Sequence, residues 1–72
     1  MKVYLLLFYQ DITGTSDAIP EFINVSRNRE ELEELMLQMN EIIDSEWIPE
    51  DLEWRGVFMN SKPYYYILEV EI

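Results

Sequence analysis

The side chains in this sequence that could do chemistry are carboxylates: fifteen Asp and Glu stand against five Lys and Arg, with no histidine and no cysteine. Paired carboxylates can cleave a glycosidic bond, one as acid and one as base or nucleophile, but only across a cleft that fixes their separation. A chain of 72 residues has little volume from which to carve such a cleft. Oxygen ligands crowd together at Asp44, Glu46, Glu50, Asp51 and Glu53, yet they lack the alternate-residue spacing and central Gly of a calcium-binding loop. A solvated acidic turn is expected there, not a metal site.

Missing residues remove most other chemistries. Without histidine, Ser and Thr hydroxyls have no imidazole to activate them, and the commonest neutral metal ligand is gone. Without cysteine there is neither a disulfide nor a thiolate zinc site. Lys2 lies near the terminus and Lys62 in a predicted turn, and neither belongs to a constellation. The loop from Asp11 to Asp17 holds one Gly and does not match a phosphate cradle, which needs a Gly-rich turn entering a helix with Lys. These absences predict a protein that is not an enzyme, needs no cofactor and works by binding.

With 49% hydrophobic residues the chain is too apolar to be a disordered acidic tail, so a single folded domain over residues 1–72 is expected. Its apolar runs are far shorter than the roughly 20 residues of a membrane span. Val3 to Tyr9 follows a single lysine with no small-residue cleavage site behind it, so no signal peptide is expected and the default location is the cytoplasm.

The elements that must position any binding site follow from periodicity. Val3 to Tyr9 is apolar on both alternating faces, which predicts a central strand. Ile19 to Val25 predicts a second strand, placed at an edge because Pro20 cannot donate a ladder hydrogen bond. Asn28 with Glu31 fits a capping box that opens a helix running to about Asp44. Leu32, Leu35, Met36, Met39, Ile42 and Ile43 then share one face, as expected of a helix lying on a sheet. Pro49 and Gly56 bracket a short helical turn at Glu50 to Trp54, and Trp47 and Trp54 are expected to pack beneath it. Val57 to Met59 and Tyr64 to Ile72 complete the pattern as strands. The expected fold is α+β: a small antiparallel sheet of β-β-α-β or β-β-α-β-β order with one amphipathic helix on one face.

The formal charge of −10 is confined to one third of the chain. Between Glu30 and Glu53 there are ten acids and no base, while the remaining acids and bases balance. A helix could gain about 0.2 to 0.5 kcal/mol from each Glu and Lys four residues apart, but here the pairs Glu30/Glu34, Glu30/Glu33 and Glu41/Asp44 are all like-charged. Leu37 points directly away from the apolar stripe, with Glu33 and Glu34 one turn before it, Glu41 one turn after, and Glu30 and Asp44 two turns off. An apolar anchor rimmed by carboxylates has the anatomy of a protein-binding patch that fits a basic partner. Direct binding to nucleic acid or to an anionic membrane is disfavoured by the same charge.

In size, charge and layout, the chain resembles small acidic early proteins of phages and mobile elements, among them anti-CRISPR and anti-restriction inhibitors. That resemblance implies a nucleic-acid-handling or defence protein as the basic partner. It also implies mimicry of nucleic acid, since carboxylates on one face can occupy a groove built for phosphates. The six acids from Glu30 to Asp44 span roughly 22 Å of helix, close to the charge spacing of one nucleic-acid strand, although residues 35–40 carry no charge.

A second expectation comes from a different class, a homodimeric assembly module whose acidic helix only confers solubility. One helix covers one sheet face, and the other face, carrying some of Tyr4, Leu6, Phe8, Tyr65 and Ile67, would be covered by another copy.

Overall fold

Strand β1 (Lys2–Tyr9) lies at the centre of a three-stranded antiparallel sheet, between β2 (Glu21–Ser26) and β5 (Tyr64–Glu71). The computed structural model describes residues 1–14, 20–47, 53–54 and 56–72. Helix α1 (Arg29–Glu46) follows β2, and the short strands β3 (Glu53–Trp54) and β4 (Val57–Phe58) pair with each other before β5 begins. The α+β architecture and the central place of β1 are as the sequence predicts. The helix extends two residues beyond Asp44 before Trp47 closes it, with the Trp47 N–H donating to the Ile43 carbonyl.

The expected helical turn at Glu50 to Trp54 falls partly outside the described residues, and its described end is a strand. Glu53 pairs with Phe58 and Trp54 with Val57 across Gly56, whose φ of 80° suits a residue without a Cβ. This small hairpin is anchored to the end of β1 by an Ile12–Met59 bridge. The Thr13 N–H donates to the Phe58 carbonyl and the Asn60 N–H to the Asp11 carbonyl. Ile19, expected to open the second strand, also lies outside the described residues, and Pro20 stands just before β2, which is indeed an edge strand.

Alternation along β1 decides what is buried. Leu6 is fully buried and Phe8 nearly so, whereas Leu5 and Leu7 on the other face are only partly covered. Helix α1 packs on the Leu6 and Phe8 side through Leu32 and Ile43. Around Phe8 and Ile43 gather Trp54 and Met59, with Ile12, Ile23, Trp47 and Tyr65 packed at the margin. Both tryptophans therefore serve the core, as expected.

This reverses the expected assignment of the sheet faces. Directly opposed residues in an antiparallel ladder share a face, so the pairs Leu6 with Ile67, Phe8 with Tyr65 and Tyr4 with Glu69 lie beneath the helix. The uncovered face holds Val3, Leu5, Leu7 and Tyr9 of β1, opposed by Val70, Leu68, Tyr66 and Tyr64 of β5. Both faces of β1 are apolar, so alternation alone could not tell which one the helix takes.

Strand β2 contributes to the open face through an irregularity. Asn24 opposes Leu6 and Phe22 opposes Leu7, which leaves Ile23 as the extra residue of a bulge. Residues three apart in a regular strand would point to opposite faces. With the bulge between them, Phe22 and Val25 both lie on the open face, at 58% and 49% exposure, while Ile23 packs at the core.

Candidate interaction site

Helix α1 is positioned at its start by a chain of hydrogen bonds through Ser26, Asn28, Glu30 and Glu31. The Asn28 side chain accepts from the Glu30 N–H at 3.1 Å, as an N-cap should. Glu31 does not reach back to the Asn28 N–H as expected. Instead the Ser26 hydroxyl accepts from that N–H at 3.0 Å and donates to the Glu31 carboxylate at 3.2 Å. The last residue of β2 thus ties the helix entry to the sheet.

Farther along, Asn40 docks the helix against β5. Its Nδ2 donates to the Tyr65 carbonyl at 3.1 Å, and the Tyr65 N–H donates to its Oδ1 at 2.8 Å. These contacts fix the rotation of the helix and so determine which side chains stand on its outer surface.

The six sequence-predicted helix residues separate into two groups. Glu30, Glu34, Leu37 and Glu41 follow the spacing of one outward ridge and all are exposed, with Leu37 at 64%. Glu33 and Asp44 lean toward the β5 side, and each has a cation. Arg29 Nε donates to Glu33 at 2.8 Å, and Lys62 pairs with Asp44 from the turn before β5. Arg29 also lies 5.9 Å over the Tyr4 ring. The cations come from just outside the acidic block, so the sequence count of ten acids without a base overstated the charge at these two positions. The ridge carboxylates Glu30, Glu34 and Glu41 have no salt bridge among the described residues.

The resulting ridge runs roughly 16 Å from Glu30 to Glu41. Leu37 sits within it, one turn from Glu34 and one turn from Glu41. Glu50 and Asp51, counted in the acidic block, lie outside the described residues.

The second predicted surface is not assembled as expected. Leu6 and Phe8 are buried beneath the protein's own helix, and Tyr65 packs tilted against Phe8 with ring centroids 4.5 Å apart. Tyr4 and Ile67 lie partly covered on that same face. On the opposite face of the sheet Tyr9 stacks on Tyr64 at 5.2 Å and Tyr64 meets Tyr66 at 5.8 Å.

Two shallow grooves flank the helix. One of about 260 Å³ lies toward β2 and is lined by Asn24, Glu31, Leu32, Glu34, Leu35 and Gln38. The other, of about 330 Å³, lies between Asn40, Asp44, Lys62, Pro63 and Tyr64. In the second groove the one cation is engaged by Asp44 and the one carboxamide by Tyr65. Among the described residues, no helix is long and apolar enough to cross a membrane.

No family model matches the chain, and the searches of curated proteins and of solved structures found no match either.

Proposed function

We propose that this chain is a non-catalytic protein-binding module that docks the outer ridge of its helix, Glu30, Glu34, Leu37 and Glu41, onto a basic surface of a larger protein. The observation that carries this reading is the placement of Leu37. It is 64% exposed where helix packing has no use for it, and Glu30, Glu34 and Glu41 have no salt bridge among the described residues, while Glu33 and Asp44 off the ridge are paired with Arg29 and Lys62. Carboxylates around an apolar anchor steer encounter with a basic patch, and the anchor then slows dissociation once it is desolvated.

The partner of best fit is a nucleic-acid-handling or defence protein, because such proteins present grooves of Lys and Arg built for phosphates. In that setting the module acts as an inhibitor that competes for the groove, in the manner of the phage-type acidic proteins it resembles. Reversing Glu30, Glu34 and Glu41 to Lys tests the reading. Association with the partner should slow and lose most of its salt dependence, whereas Leu37→Asp should mainly speed dissociation.

A further inference from the structure

The open sheet face goes beyond this reading, because its described residues are apolar and uncharged and it lies opposite the ridge. We infer that it is an interface for a second copy of this chain, packed sheet against sheet about a two-fold axis. Three arguments select that occupant.

The first is charge. Phe22, Val25, Tyr64, Tyr66 and Leu68 share the face with the apolar residues of β1, and no Lys, Arg, Asp or Glu stands among them. A basic partner is drawn to the carboxylates on the far side, and an anionic lipid surface is repelled by the net charge of −10. A second copy meets the face with equally uncharged surface. Stacked sheets lie about 10 Å apart with each helix about 10 Å behind its own sheet, so the two helix axes are held roughly 30 Å from one another, with the acidic ridges on their outer sides. That separation is several times the Debye length of about 8 Å at physiological salt.

The second is shape. A compact domain of this length has a radius of gyration of about 11 Å and one of this mass exposes about 4,700 Å². The chain has 13.5 Å and 5198 Å², with extents of 41 × 27 × 14 Å. Among the described residues it is a slab with helix on one side, and a second slab against the other side completes a four-layer core.

The third is area. Three strands about 4.8 Å apart and about 27 Å long give a face of roughly 400 Å² in projection, so two faces with their side-chain relief bury on the order of 1,000 Å². That lies at the low end of specific interfaces, among the weak and transient ones. The same twist in both sheets makes the face self-complementary, as a two-fold interface requires.

Sedimentation velocity of the full chain from about 1 to 300 µM at about 150 mM NaCl tests this inference. The expected result is a concentration-dependent monomer to dimer shift. Leu68→Lys and Phe22→Ser should weaken it at least tenfold, and Leu37→Asp should leave it unchanged. Leu68 is 46% exposed and Phe22 58%, so neither substitution empties the core, and Phe22→Ser adds no charge, so a loss of dimer in that variant is not added repulsion. Hydroxyl-radical footprinting of the unaltered chain should show Tyr64, Tyr66 and Leu68 becoming protected as concentration rises while Leu37 does not, which requires no variant to fold. A monomer at every concentration would overturn the inference. So would dimers indifferent to both face variants, or protection of the face only when neutral phosphatidylcholine vesicles are added. None of these outcomes depends on the helix ridge finding its partner.

Discussion

Asn40 uses both ends of its carboxamide on the backbone of Tyr65, donating to the carbonyl and accepting from the N–H. Tyr65 belongs to an edge strand, and at this position the helix supplies the bonds that a further strand would otherwise make. The clamp holds the helix in the rotation that places Leu37 outward. Asn40→Ala is expected to destabilise the fold by about 1–2 kcal/mol, because it leaves a partly buried N–H and C=O without partners. Asn40→Asp should recover part of that loss by keeping the acceptor alone. Urea unfolding measures both, and a midpoint for Asn40→Ala equal to the unaltered protein's would contradict the clamp.

Ser26 relays the helix cap, so its hydroxyl should be energetically coupled to Glu31. Asn28→Ala should cost about 0.5–2 kcal/mol, the usual loss of an N-cap. In a double-mutant cycle, Ser26→Ala and Glu31→Ala should sum to more than the double variant loses, since either one breaks the chain of bonds. Strict additivity would show that Glu31 acts on the helix terminus by charge alone.

The ridge carboxylates repel one another, so salt should stabilise the monomer. Raising NaCl from about 10 to 150 mM shortens the Debye length from about 30 to 8 Å and screens a net charge of −10. The melting temperature of the dimer-impaired Leu68→Lys variant, used so that association does not contribute, should rise by several degrees. A fall over that range would show that the pairs Lys2–Glu69, Arg29–Glu33 and Lys62–Asp44 outweigh the repulsion.

Much of the fold is legible along the chain because its signals are local. The helix stripe from Leu32 to Ile43, the cap at Asn28 and the edge position of the strand after Pro20 each follow from neighbouring residues. What escapes is decided by residues distant in sequence. The helix could have covered either face of β1, and the choice is made where Phe8 meets Ile43, Trp54 and Met59. The bulge at Ile23 has no marker in a strand without Gly, and it turns Phe22 and Val25 onto one face. On the ridge, Leu37 stood out by its periodicity. The neutralisation of Asp44 depends on Lys62, eighteen positions away, and no helical spacing connects those two.

Docking through the helix ridge is measured most directly by side-by-side capture from a bacterial lysate, followed by binding kinetics with the purified partner. The unaltered chain, the Glu30, Glu34 and Glu41 to Lys variant, Leu37→Asp and Leu68→Lys would each be immobilised. The account predicts a basic protein retained by the unaltered chain and by Leu68→Lys. It predicts at least tenfold weaker binding to the charge-reversed and Leu37→Asp chains, with the salt dependence of association lost in the former. A partner held equally by both helix variants and released only by Leu68→Lys would contradict it, and would make the acidic ridge a solubilising surface on a module that works through its sheet.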